Sequence, residues 1–416
     1  MKKLIILLTV LTAMLPALAR ERYAGGDISL LPTYEAAGAQ YKDYEWNEIK
    51  DLIPWLHDQG LNAMRVRLFV NPSKSTGADK DPNACQDLEY ITPLCKRIKD
   101  SGMKLLLDFH YSDTWADPAK QWTPEDWKDL TDEQLYQKIY DYTRDVLLKL
   151  NEAGVTPDFI QPGNEISYGM LWGPHDAPES DLKKTLMGSD ANWERLGTLL
   201  KQAIKACREV CPDAKIMLHN ERVPQPKVML NFFDKMNEMN VPYDIIALSY
   251  YPYFHGGLAI LRNALNQLVK AYPDKTISIG ETNYSYKWEV PGTDHDLTGV
   301  YPYTEEGQAK FTRELISLLE EFEQVDSVYW WWLGYNAYGT KLEGWYNAPL
   351  FDSTTGKVTQ ALKDLASFAS GTGAIDGIFT DPVRDNRWYG IDGTLYPDGP
   401  KAPGLYIRDG RKILVK

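Results

Sequence analysis

Along nearly the whole chain, apolar runs of strand length alternate with amphipathic stretches of helical period. This alternation constrains the fold more than any other feature. Strands separated by helices pair in parallel, and their sheet is buried on both faces. Eight runs read as strands, at 24–31, 63–70, 104–109, 159–162, 215–219, 245–250, 276–281 and 327–332. The stretches between them predict helices over 46–59, 88–101, 133–152, 193–210, 226–239, 259–271, 305–323 and 360–369. Thr131 and Gln134 have the spacing of a capping box. Gly60, Gly102 and Gly154 stand where helices end, just ahead of strands two, three and four. Eight strands with eight helices favour a closed (β/α)8 barrel, the α/β TIM fold, over the open doubly wound sheet that the same alternation permits.

The ends of the chain read differently. Lys2 and Lys3 precede an apolar run over 4–15, and Ala17-Leu18-Ala19 has the form of a cleavage site. Residues 1–19 are therefore expected to be a signal peptide, with the mature chain secreted to the exterior, the cell surface or the periplasm. The run is too short for a bilayer span, so no membrane insertion is expected. Residues 20–370 are assigned to the barrel. Ser370-Gly371-Thr372-Gly373 reads as a linker, and 371–416 is rich in Gly, Asp and Pro before an alternating, hairpin-like end. That segment is either a short β appendage or a sorting-like tail.

Composition excludes some partners. A formal net charge of -13 repels phosphate backbones and anionic lipid, so nucleic acid and membrane surfaces are excluded. The 13 Trp and 26 Tyr suit a rich core, but they also suit stacking on sugar rings. A monomer is expected. Export would permit disulfides among Cys85, Cys95, Cys207 and Cys211, but their pairing stays open. The helical spacing of Cys207 and Cys211 fits a bond poorly. No His-Glu-x-x-His, phosphate loop or Gly-x-Ser-x-Gly occurs.

In such a barrel the chemistry sits at the C-terminal ends of the strands. Arg65 and Arg67 lie there on strand two, His110 and Asp113 after strand three, and Asn164 and Glu165 after strand four. His219 ends strand five, Tyr250 and Tyr251 strand six, Glu281 strand seven, and Trp331 strand eight. Glycosidic cleavage needs two carboxyls flanking the bond, one to protonate the leaving oxygen and one to attack or activate water. Glu165 and Glu281 close strands four and seven and can face each other across the barrel mouth.

These motifs resemble a known family. Gly163-Asn164-Glu165 and Gly280-Glu281-Thr282 look like the acid/base and nucleophile motifs of a large clan of retaining barrels. Gly26-Asp27-Ile28-Ser29, Arg65-Val66-Arg67-Leu68 and Leu248-Ser249-Tyr250-Tyr251-Pro252 narrow the likeness, above all with the run from Asp108 to Pro118. Together they resemble the arabinogalactan endo-β-1,4-galactanases of glycoside hydrolase family 53. The resemblance implies a retaining enzyme that cleaves internal bonds of β-1,4-galactan, a pectic side chain. It implies Glu165 as acid/base, Glu281 as nucleophile and Asn164 on the sugar 2-hydroxyl. Arg67, His219 and Tyr250 would orient and tune the nucleophile. His110, Asp113, Trp115, His255 and Trp331 would line the substrate site. Strand alternation leaves open whether Trp331 or Trp330 faces inward. No cofactor is required, but some members bind calcium, and here Asp294 and Asp296 would be its ligands. Mannanase, cellulase or xylanase activity remains an alternative, as does a barrel that binds glycan without cleaving it.

Overall fold

The computed structural model describes residues 20–75, 79–186, 188–336 and 348–371. It also describes 388–390, 395–396, 399–400, 403–408 and 411–415. The expected signal peptide, 1–19, and the linker residues Thr372 and Gly373 lie outside the described residues.

The alternating pattern becomes a closed barrel of eight parallel strands. They are β1 (Tyr23–Asp27), β2 (Ala63–Leu68), β3 (Lys104–Phe109), β4 (Phe159–Pro162), β5 (Lys215–Asn220), β6 (Ile245–Tyr250), β7 (Thr276–Thr282) and β8 (Val325–Trp330). Each strand pairs with the next, and β8 returns to β1. The main helices outside are α1 (Leu52–Asp58), α2 (Leu88–Asp100), α3 (Asp132–Glu152), α4 (Asp190–Val210), α5 (Pro226–Glu238), α6 (Leu258–Ala271), α7 (Glu305–Glu320) and α8 (Ala361–Ser370).

Side chains alternate along each strand, and the consequence here is a layered interior. Ala63, Leu106, Phe159, Met217, Ala247 and Tyr329 form an apolar floor inside the barrel. Two residues further along five of these strands stand Arg65, Asp108, Gln161, His219 and Ser249, all buried. The intervening residues, such as Val66, Leu107, Ile160, Leu218 and Leu248, join the larger core that includes the buried helix faces. These five make a polar level just above the floor.

β7 breaks this alternation once. Leu248 pairs with Ile279, but the next residue, Ser249, pairs with Glu281. On the other side Val328 pairs with Ile279 and Trp330 with Thr282. One extra residue therefore sits in β7 at Gly280, which is a β-bulge. A Cβ on Gly280 would lie 3.3 Å from the ring of the interior residue His219, so Gly280 faces inward. Strict alternation would then send Glu281 outward, and the bulge turns it back into the barrel mouth.

Local signals read from the sequence recur. Thr131 accepts from the Gln134 amide, and the Gln134 side chain accepts in return from the Thr131 amide. Gly60, Gly102 and Gly154 adopt φ of 98°, 82° and 77°, which helix C-terminal turns favour in glycine. The predicted helix over 46–59 begins only at Leu52. Ahead of it, Asp43 accepts the amides of Glu45 and Asn47 and closes a hairpin between Tyr41–Lys42 and Glu48–Ile49. The first strand ends early because Asp27 turns to accept the Ser29 amide.

The C-terminal strands Trp388–Gly390, Leu395–Tyr396, Gly404–Arg408 and Arg411–Val415 form an antiparallel four-stranded sheet. Cys85, Cys95, Cys207 and Cys211 are free thiols. No helix among the described residues is long and apolar enough to cross a membrane.

Candidate active site

The polar layer centres on Arg65, whose side chain is fully buried. Its Nη1 lies 3.0 Å from Asp27 Oδ2, and its Nη2 lies 2.7 Å from Asp108 Oδ2 and 2.7 Å from Glu281 Oε1. Nη2 also donates to Asn164 Oδ1 at 2.9 Å. A buried charge of this kind persists only when it is paired and hydrogen-bonded, and β1, β3 and β7 each supply a carboxylate. Burial alone would raise the Asp108 carboxyl, but Arg65 and His110 outweigh it and hold Asp108 at about 2.

Glu281 therefore stands beside a cation. Tyr251 completes its hold, donating its hydroxyl to Glu281 Oε2 at 2.6 Å. Burial leaves the Glu281 carboxyl above its ordinary range, with Arg65 and Tyr251 pulling against it. Among the described residues no cation pairs with Glu165. Its backbone is left-handed, with φ 49° and ψ 54°, at the point where β4 gives way to a short helical turn. Non-glycine residues reach that region only when their surroundings enforce it. Loss of solvation, then the charges of Glu281 and Glu221, push Glu165 well above the usual carboxylate range. The two carboxyls interact electrostatically, and the one beside the arginine is the more acidic.

Asn164 and His219 are buried in the same polar layer. His219 Nδ1 lies 2.9 Å from Asn164 Oδ1, and His219 Nε2 lies 3.0 Å from Ser249 Oγ. Burial, with Arg65 nearby, lowers His219 to about 3, so the ring is neutral at ordinary pH. His219 Nδ1 also lies 3.2 Å from Gln161 Nε2, and the Ser249 hydroxyl reaches Glu165 as well as His219 Nε2.

A cleft of about 450 Å³ opens above this layer. Glu165, Glu281, Asn164, Tyr251, His255, Trp115 and Trp331 all line it, together with Glu221 and Trp332. Trp331 faces the cleft, and the Trp330 ring donates to the Ala348 carbonyl among core residues outside the barrel. Trp115 is held by a 2.7 Å bond from its Nε1 to Asp81 Oδ2.

Several expected positions move. Arg67 does not touch the nucleophile candidate. It bonds Asp27 Oδ1 at 2.8 Å, and its guanidinium lies 4.7 Å from the Trp115 ring and 4.8 Å from the Trp331 ring. Arg65 and Arg67 share a face of β2, but Arg65 sits one level deeper, where Glu281 reaches. Tyr250 is also corrected. It faces outward and donates to the Gly256 carbonyl at 2.8 Å, because strand parity gives the inward position to Tyr251. His219 acts on Asn164 rather than on Glu281. His110 and Asp113 lie behind the cleft wall. His110 Nδ1 accepts the Ala116 amide at 3.1 Å, and its Nε2 lies 3.0 Å from Asp108 Oδ2. Asp113 accepts the amides of Asn71 and Glu125, pinning two loops together. His255 lines the cleft and accepts the Tyr251 amide at 3.2 Å.

The sequence expectations give no role to Asp27, Arg65, Asp108, Tyr251 or Glu221. For Asp27, Arg65 and Asp108 the available signal is charge inside otherwise apolar strands, which alternation places on the interior. The calcium expectation finds little support in the donor set. Asp296 already accepts the amide and hydroxyl of Thr298, at 2.9 and 2.6 Å. Among the described residues, no group of three or more His, Cys, Asp or Glu is placed to hold a metal. Asp294 and Asp296 alone do not fit an ion that takes six to eight oxygens.

Known proteins resemble the chain over most of its length. An arabinogalactan endo-β-1,4-galactanase of Cellvibrio japonicus is 32% identical over 351 residues, spanning 80% of this chain and 87% of that protein. An endo-β-1,4-galactanase of Bacillus subtilis is 29% identical over 376 residues, spanning 88% and 79%. The solved family 53 catalytic domain of Ignisphaera aggregans superposes with a TM-score of 0.71 at 33% identity, covering 84% of this chain and 97% of that domain. The family model of glycosyl hydrolase family 53 matches residues 23–365. With that match over most of its length, the chain belongs to glycosyl hydrolase family 53 and is a glycoside hydrolase.

Proposed function

We propose that this protein is a secreted endo-β-1,4-galactanase that cleaves internal bonds of pectic galactan with retention of anomeric configuration. One observation carries the reading. Glu165 and Glu281 line one cleft, and of these two only Glu281 is paired with the buried Arg65 among the described residues. That asymmetry divides their roles. Glu281, beside Arg65 and Tyr251, is the ionised group that attacks the anomeric carbon. Glu165, without a cation, keeps the proton that the leaving oxygen takes. Once the leaving sugar departs, Glu165 has lost its proton and serves as base for the incoming water. Water then breaks the glycosyl–Glu281 bond, and both carboxyls return to their starting states.

The neighbours serve these steps. Asn164 Nδ2 donates one hydrogen to the Ala116 carbonyl, and the other is directed to the sugar 2-hydroxyl. Trp115 and Trp331 offer ring faces for stacking, and their indoles are braced by Arg67. The axial 4-hydroxyl of galactose bends a β-1,4 chain, so a curved aromatic wall suits it better than a flat one. The names of the relatives support galactan as the substrate.

The test is to offer unbranched galactan, mannan, xylan and soluble cellulose at equal mass. Rapid viscosity loss with short galacto-oligosaccharides from galactan alone is the expected result. Preferred cleavage of another polymer refutes the galactanase reading and leaves the family membership intact.

A further inference from the structure

Besides Glu165 and Glu281 the cleft is lined by Asp81, Asp117 and Glu221, and Glu221 has no part in the steps above. Glu221 follows β5 directly, is 6% exposed, and lines the same cleft as Glu165. Its Oε1 lies 2.8 Å from Arg222 Nε and accepts the Ser167 hydroxyl. Its Oε2 has no hydrogen-bond partner and is buried. Leaving a buried carboxylate oxygen unbonded costs free energy, and in a cleft that cost is relieved by a ligand that donates to it.

The side of the cleft follows from the same contacts. Ser167 lies two residues beyond Glu165, in the short turn that Glu165 opens, so Glu221 is tied to the Glu165 loop. Arg222 Nε donates to the same Ser167 hydroxyl at 2.9 Å and braces the pair. Glu221 is also among the charges that raise Glu165, whereas the groups acting on Glu281 are led by Arg65, Tyr251, Asp108 and Asp27. Glu165, as acid, stands beside the departing oxygen. Glu221 therefore lies on the leaving-group side of the scissile bond.

We propose that Glu221 binds the leaving-group sugar, its Oε2 accepting a hydroxyl of the residue that carries the glycosidic oxygen. A hydroxyl is the donor of choice, since a neutral glycan offers no other. This rests on the galactanase reading, with Glu165 as the acid. Arg222 and Ser167 act through Glu221 and are positioning residues.

The experiment compares two substrates of the full-length enzyme. Galactotetraose has a sugar as leaving group, and an aryl β-galactobioside does not. Glu221→Gln keeps an acceptor for Arg222 and Ser167 but replaces the free oxygen with an amide. Its kcat/KM for galactotetraose, relative to the aryl substrate, is expected to fall by about tenfold or more. An equal loss on both substrates, or no loss on either, overturns the proposal. A second measurement needs no variant. Oligosaccharides lacking one hydroxyl on the leaving-group residue, at position 2, 3 or 6, are offered to the wild-type enzyme. One position is expected to matter by about tenfold, and equal turnover of all three overturns the proposal. If the wild type leaves galactotetraose and the aryl galactoside both intact, the galactanase reading itself has failed, and this inference falls with it.

Discussion

Arg65 Nη2 lies 2.7 Å from Glu281 Oε1 and 2.7 Å from Asp108 Oδ2, so one buried nitrogen serves both a cleft carboxylate and a core carboxylate. The fold and the site therefore share a charge. Whatever disturbs Arg65 unbalances Asp27, Asp108 and Glu281 together.

Arg65→Ala leaves Asp108 and Glu281 without their arginine and Asp27 with Arg67 alone. Breaking a buried pair from one side costs about 3–5 kcal/mol, so a clear fall in Tm is expected. Arg65→Lys keeps the charge but cannot reach three carboxylates with one fork. In Arg65→Lys, Glu281 should be harder to ionise, and the acid limb of kcat/KM should move to higher pH. An unmoved acid limb in a folded, active Arg65→Lys variant would reject the claim that Arg65 holds Glu281 ionised.

Glu165→Gln and Glu281→Gln are each expected to lower kcat by roughly 10²–10⁴-fold while the fold persists. Circular dichroism and Tm separate lost chemistry from lost structure. Azide should restore turnover to Glu281→Ala by filling the place of the attacking carboxylate. An aryl substrate with a good leaving group should partly spare Glu165→Ala, since it needs less protonation. Near-normal turnover by both Gln variants contradicts the assignment.

Much of the barrel was legible because hydrophobic periodicity and chain punctuation report the same elements. β3, β4 and β6 fall at the residues predicted, and helix ends differ by a few positions where a cap or an Asx turn intervenes. The rim was legible as a set of residues but not as contacts. Parity separates Tyr250 from Tyr251 only once the strand's inward face is known, and depth separates Arg65 from Arg67 only once the barrel's level is known. The bulge at Gly280 was invisible, because a single extra residue leaves the apolar pattern of β7 unchanged while reversing the direction of Glu281. Glu221 carries no such signal, because a single Glu just after a strand usually belongs to a solvated rim.

Asp326 carries a stability prediction. It opens β8 nearly buried, and burial raises its carboxyl to about 6, with Ser327 and Arg20 pulling weakly the other way. A folded pKa above the unfolded value near 3.8 means that the protonated form favours folding. That contribution is complete below pH 3.8 and is lost as pH rises through 6. Asp326→Asn should therefore stabilise the protein at pH 8 by at most about 3 kcal/mol, and by little near pH 3.5. Thermal melts of both proteins at the two values decide the matter. An advantage of equal size at both is the contrary result.

The final prediction uses two adjacent tyrosines as each other's control. Tyr251 donates to Glu281 Oε2 at 2.6 Å, and Tyr250 donates to the Gly256 carbonyl at 2.8 Å. Each Tyr→Phe change removes one hydroxyl from one buried bond, so each should cost stability of about 1 kcal/mol. Their effects on pH dependence should differ. A hydrogen bond to the ionised carboxylate lowers its pKa, so Tyr251→Phe should raise that of Glu281. Glu281 must be ionised to attack, and the acid limb of kcat/KM should move upward in Tyr251→Phe. In Tyr250→Phe it should stay where the wild type has it, because that hydroxyl faces away from the cleft. pH profiles of kcat/KM on one soluble substrate, measured for both variants beside the wild type, test the parity of β6 directly. A shift in Tyr250→Phe without one in Tyr251→Phe would mean that the inward residue had been misidentified.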